Sequence, residues 1–112
     1  YDITHGEGLA IVTPRWMRHI LNSTTGELHS QVVERITSFG SGVFGTTTPE
    51  ESILAIHDFY EGIGIPMTLR EVGIDESRID EMARHIAVNE GLDQAWVPLH
   101  EDDIAAILRD CL

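Results

Sequence analysis

Apolar residues recur along the chain at spacings of three and four, and alternation of apolar with polar residues is rarely sustained for five positions. This periodicity predicts an all-α fold, a bundle-like arrangement of about five helices with negligible strand. A first segment from Gly8 to Leu21 sets Leu9, Val12, Trp16, His19 and Ile20 at helical spacing. Pro14 lies inside it and lacks a backbone donor, so a kink or a break into two short helices is expected there. A second segment, Leu28 to Phe39, aligns Leu28, Val32, Ile36 and Phe39. Gly40-Ser41-Gly42 reads as its flexible stop, with Val43 and Phe44 buried behind it.

Thr48-Pro49-Glu50-Glu51 carries the best local signal. Thr48 can cap a helix, Pro49 suits its first position, and Glu51 can return a bond to the cap residue's amide, so a helix is expected to start at Pro49. Its stripe is Ile53, Ile56 and Tyr60, widened by Leu54 and Phe59, and Gly62-Ile63-Gly64-Ile65-Pro66 ends it. Pro66 to Arg70 is expected to form one turn before Gly73. A fourth helix, from Asp75 as cap to Val88, places Ile79, Met82, Ala83 and Ile86 on one face. The last runs from Glu101 to the end and repeats the pattern in Ile104, Ile107, Leu108 and Cys111.

Composition narrows the class. With 112 residues, 42% hydrophobic and 23% charged, residues 1–112 read as a single globular helical domain. A chain of this size buries roughly two-thirds of the surface it exposes when unfolded, enough for one core without staples. Nineteen acidic against seven basic residues leave a net charge of −12, which repels phosphate backbones and anionic bilayers, so neither nucleic acid nor a membrane is an expected partner. Much of the negative charge is structural: Glu50 and Glu51, Asp75 and Glu76, and Glu101 to Asp103 sit at helix starts, where each contributes ~0.3–1 kcal/mol against the helix dipole. The one cysteine, Cys111, excludes an internal disulfide and fits a cytoplasmic setting. No run reaches the ~20 apolar residues of a membrane span, and Tyr1-Asp2-Ile3-Thr4-His5 has neither the basic flank nor the apolar core of a signal peptide. The sequence also opens without a methionine, almost directly into a helical pattern, and so reads as a fragment of a longer protein.

Six histidines are the candidates for metal or acid–base chemistry. None forms a self-sufficient motif of the His-Glu-x-x-His type. His19, His57 and His85 fall within helices, where a satisfied or solvated imidazole is the ordinary reading; His29 sits near a helix start, and His100 just before one as a substitute cap. His5 differs in context. It stands in Thr4-His5-Gly6-Glu7-Gly8-Leu9-Ala10-Ile11, where two glycines leave room for close backbone approach to a ligand ahead of an apolar helix.

The run His5-Gly6-Glu7-Gly8-Leu9-Ala10-Ile11-Val12-Thr13-Pro14-Arg15-Trp16-Met17 resembles the stretch of iron-containing alcohol dehydrogenases, particularly the butanol dehydrogenase branch, that supplies the last metal-binding histidine. Later phrases agree in order: Phe39 to Phe44, Gly62-Ile63-Gly64-Ile65-Pro66-Met67-Thr68-Leu69 followed by Gly73-Ile74, and Pro98-Leu99 followed by Asp103-Ile104. The resemblance covers essentially the whole chain. It implies the C-terminal helical half of the dehydroquinate synthase-like, iron alcohol dehydrogenase fold, with His5 as one metal ligand. The aspartate and two further histidines of the family's metal site, and the glycine-rich nucleotide loop, would lie upstream of Tyr1. His5 is the one metal ligand assigned within the chain; no catalytic residue is assigned, and the cofactor-binding residues stay open.

The function so implied is that of a metal-dependent, NAD(P)-linked alcohol dehydrogenase interconverting alcohols and aldehydes. The complete enzyme would use Fe²⁺, or Zn²⁺, together with NAD(P), and would contain an N-terminal nucleotide-binding domain. The chain would supply one ligand and part of the substrate cleft, and would be inactive alone, since a catalytic metal usually requires three or more protein ligands. Helix faces left uncovered would expose an apolar patch near the N-terminus and promote self-association. The alternative is a non-catalytic acidic helical interaction module, whose apolar stripes serve a partner.

Overall fold

The computed structural model describes residues 5–112, and among them there are five α-helices and no strand: α1 (His5–Ser23), α2 (Gly26–Phe44), α3 (Pro49–Gly62), α4 (Ile79–Asn89) and α5 (Glu101–Asp110). Single 3₁₀ turns occupy Arg70–Val72, Glu76–Arg78 and Leu92–Gln94. The helix at Pro49 starts where its capping signal placed it. Thr48 is extended, and its hydroxyl accepts from the Glu51 amide at 3.1 Å. The return bond differs from the expected one: Glu51 Oε1 accepts from the Thr47 amide at 3.3 Å and from the Thr47 and Thr48 hydroxyls at 2.9 and 3.1 Å. Asp75 caps a 3₁₀ turn first, accepting from the Ser77 amide at 2.9 Å, and the regular helix begins at Ile79. The turn expected over Pro66 to Arg70 forms later, over Arg70–Val72, where Thr68 accepts from the Glu71 amide at 3.3 Å.

Two helix breakers do not break helices. α1 runs continuously through Pro14, so no split into two short helices occurs. Proline removes the bond that residue 14 would donate to Ala10, but its ring is among the most deeply buried side chains of the molecule, and neighbouring Ala10 and Ile11 are buried too. Packing therefore offsets the local cost. α2 likewise continues through Gly40-Ser41-Gly42 to Phe44. It stops at Gly45, which takes φ 73°, a left-handed conformation that L side chains rarely adopt. Gly40 is needed for a different reason: a Cβ there would overlap Ser52 Oγ and Cβ and Thr46 Oγ1. α3 packs directly against the backbone of α2 there.

Short polar bonds fix the loop between the two helices, and the Thr46 amide donates to the Gly40 carbonyl of α2 at 3.3 Å. Ser52 is buried, donates to the Thr48 carbonyl at 2.8 Å, and is bonded to Thr46 Oγ1 at 2.8 Å. Val43, expected in the core, is 61% exposed, and Phe44 is only half-buried. Leu54 and Phe59 also point outward, so the buried stripe of α3 is narrower than its sequence implies, with Ile53 and Ile56 inside.

One core joins Ile11 and Ile20 of α1, Val32 and Ile36 of α2, Ile53 of α3, and the stripes of α4 and α5. The long connection from α3 to α4 is pinned to it at Leu69, which is buried, donates to the Cys111 carbonyl at 2.7 Å and accepts from the Ile74 amide at 3.0 Å. The molecule is a slab of 37 × 33 × 18 Å. Its short dimension corresponds to about two helix layers.

Candidate functional site

His5 is the first residue of α1; its side chain lies outside the described residues. Gly6 and Gly8 belong to the helix rather than to a tight turn before it, and a Cβ at Gly6 would meet nothing within 4 Å. Gly6 is therefore not a point of close backbone approach within this chain. The two glycines expected ahead of the helix thus lie inside its first turn. The body of that helix is held in the core by Ile11, Pro14 and Ile20.

Arg15 adds a second anchor. Its guanidinium donates to the Ile11 carbonyl at 3.0 Å and to the Met67 carbonyl at 2.6 Å, joining α1 to the connection after α3. Sequence reasoning missed this residue, because its partner is 52 positions away and is a backbone oxygen, which leaves no mark in residue type. On the same face of the helix end of α5, Cys111 is buried, and its thiol lies 3.9 Å from the Ile11 carbonyl. Burial pushes the thiol up to about 11, with Arg15 opposing the rise. A thiol so placed is a small core group, not a nucleophile.

The remaining histidines are dispersed, each with a local role. His19 Nε2 is 3.2 Å from Asp103 Oδ1, and the other oxygen of Asp103 accepts from the His100 amide at 3.0 Å, so one carboxylate both caps α5 and joins it to α1. His29 Nδ1 meets the Thr24 hydroxyl at 3.2 Å, His57 meets Asp58 at 3.3 Å, and His85 meets the Asn89 amide group at 3.3 Å. His100 occupies the N-cap position of α5, as expected. Among the described residues no three His, Cys, Asp or Glu side chains converge as a metal site.

Charges around a polar groove between α1 and α5 are also used internally. The groove, about 490 Å³ between α1 and α5, is lined by Arg15, Arg18 and Arg109. Arg18 pairs with Asp110 at 3.5 Å, and Arg109 pairs with Asp80 at 2.7 Å and Glu76 at 3.7 Å. These bridges join α1 to α5, and α5 to α4 and the 3₁₀ turn before it, while Arg15 donates to backbone carbonyls. The outward aromatic residues form a row instead: Phe39, Phe44, Phe59 and Tyr60 have successive ring centroids 6.2, 6.1 and 5.8 Å apart. No described helix is long and apolar enough to cross a membrane.

Residues 1–112 match the family model for the Fe-containing alcohol dehydrogenase family, C-terminal. The chain is 36% identical over 117 residues to NADH-dependent butanol dehydrogenase A of Clostridium acetobutylicum, an alignment covering 97% of this chain and 28% of that protein. To NADH-dependent butanol dehydrogenase B of the same organism it is 38% identical over 92 residues, covering 75% of this chain and 22% of the relative. Among solved structures, that of a 1,3-propanediol oxidoreductase superposes with a TM-score of 0.74 at 27% identity, covering 100% of this chain and 29% of the other. The chain thus spans less than a third of the length of the relatives it matches.

Proposed function

Because the chain belongs to the Fe-containing alcohol dehydrogenase family, matching its C-terminal region over residues 1–112, we propose that it forms the C-terminal helical part of a metal-dependent, NAD(P)-linked enzyme that interconverts alcohols and aldehydes. The observation that carries this reading is the full-length family match together with the His5-Gly6-Glu7-Gly8 phrase at the head of α1. In the complete enzyme an N-terminal domain binds the nucleotide, and the substrate is a small alcohol or aldehyde. A cytoplasmic location accords with the single, buried, unpaired cysteine.

The donor set fits a shared site and not a self-contained one. No three candidate ligands converge among the described residues, so His5 would be one donor to Fe²⁺ or Zn²⁺, with an aspartate and two histidines contributed from outside these 112 residues. When bound, the metal supplies Lewis-acid polarisation of the alcohol or aldehyde oxygen, while NAD(P) exchanges the hydride. The work of this chain is geometric. α1 carries His5, and Pro14, Ile11 and the Arg15 bonds to Ile11 and Met67 keep that helix from shifting. A metal ligand must hold its direction to within a fraction of an ångström, which a helix locked into a core provides better than a mobile loop. Glu7, acidic in the first turn, counters the positive end of the helix dipole that would otherwise oppose a cation there.

The test is His5→Ala in the complete enzyme, with metal content and turnover measured on the same samples. Loss of a ligand should lower both, by more than the 10–100-fold that loss of a supporting hydrogen bond typically costs. His57→Ala, a change at a side chain that meets neighbouring Asp58, should retain both. A His5→Ala enzyme with normal metal content and turnover would overturn the assignment. The 112-residue chain alone should show no alcohol-dependent reduction of NAD or NADP and only weak metal binding.

A further inference from the structure

Between α1, α4, α5 and the loop over residues 92–99 lies a cavity of about 180 Å³ whose lining side chains are all apolar. Leu99, Ile104 and Leu108 form its buried floor. Val12, Trp16 and Leu92, partly buried against the same core, form its rim. The space is built into the loop. Gly91 takes φ 63° at the end of α4, and the Leu99 amide then donates to the Leu92 carbonyl at 2.9 Å, closing the loop on itself so that its two leucines stand as one wall. The space is half-open at its rim, but water inside gains little, because the lining is almost wholly apolar; an enclosed cavity of roughly 150 Å³ lined by Leu, Ile and Phe stays dry and binds benzene.

We propose that this cavity is a binding site for a small apolar molecule or group of about the size of benzene. Recognition is by shape and exclusion of polarity: a hydroxyl carried inside would lose its water bonds without a replacement. The site involves neither His5 nor any titratable group, and so stands apart from the dehydrogenase reading.

Benzene is the probe, and thermal unfolding of the 112-residue chain is the first readout. At ten times its dissociation constant, benzene should raise Tm by about 5 °C, whereas phenol, similar in size but carrying a hydroxyl, should bind roughly tenfold or more weakly. Val12→Phe and Leu92→Phe fill the cavity from two walls, and either variant should lose the benzene response. Should neither variant fold, methyl NMR of the unaltered chain still decides, since benzene should shift the signals of Leu99, Ile104 and Leu108. Absence of a Tm response, equal responses to benzene and phenol, or shifts at Ile36 of the neighbouring groove in place of those three would each overturn the proposal.

Discussion

Cys111 and Gly40 show how much a single position can depend on residues far from it. The Cys111 thiol is held against α1, and burial raises its pKa from an ordinary 9.0 to about 11. The sign of the linkage follows. Between pH 9 and 11 the unfolded chain releases the thiol proton while the folded chain keeps it, so folding loses stability as pH rises through that window, by up to about 2 kcal/mol. Urea denaturation of the wild type and Cys111→Ala across this range should show the alkaline decline only in the wild type, beyond what the two share. Parallel declines would mean that Cys111 does not hold its proton in the folded state. Gly40 illustrates the same dependence through space: its absent side chain is what lets Ser52 reach the backbone of α2, and no neighbour in sequence announces that.

Helix ends were the most legible elements. A cap is a contract between residues three apart, so Thr48-Pro49-Glu50-Glu51 placed the start of α3 without reference to the rest of the fold. Thr48→Ala should destabilise the chain by about 1 kcal/mol, read as a lower chemical denaturation midpoint with an unchanged slope. An unchanged midpoint would show that the Glu51 amide finds water just as well. The same bonds hold the Glu51 carboxyl below the usual glutamate value, the Thr47 hydroxyl contributing most. Its contribution is therefore present above the ordinary carboxylate pKa and is lost as pH falls through the depressed one. Stripes were legible where both neighbours are helices of the same core: Ile79, Met82 and Ala83 in α4, and Ile104, Ile107 and Leu108 in α5, are all buried. In α3, periodicity also selects Leu54 and Phe59, which stay more than half exposed because the described residues cover that side only in part.

At the scale of the molecule, an 18 Å slab cannot hide every apolar residue of a sequence that is 42% hydrophobic. The exposed large residues include Leu9 in the first half of α1, where an uncovered patch was expected. Phe59, within the aromatic row of α2 and α3, and Val43 and Ile63, at the ends of the same two helices, extend the exposure well beyond it. Ring contacts join the exposed faces of Phe39 and Phe59 into one apolar strip, and exposed apolar strips favour association. Light scattering on the concentrated chain should therefore show dimers or larger species despite the charge of −12, and Phe59→Asp should shift the distribution towards monomer. A monomer at every concentration would mean that the rings are sufficiently covered by one another.

What the sequence by itself determined is what short-range physics encodes: an all-helical chain, most of its buried stripes, the cap at Thr48, and four short phrases whose order along the chain, rather than any one of them, identifies a family. Tertiary structure decided whether Pro14 and the Gly40-Ser41-Gly42 run would end their helices, and decided that they would not, since burial of Pro14 and the close passage of Ser52 outweigh local propensity. It also decided that Arg15 binds Met67, 52 positions away, and that Val43 faces out. Periodicity reports which residues can be buried; only the arrangement of distant segments determines which of them find something to be buried against.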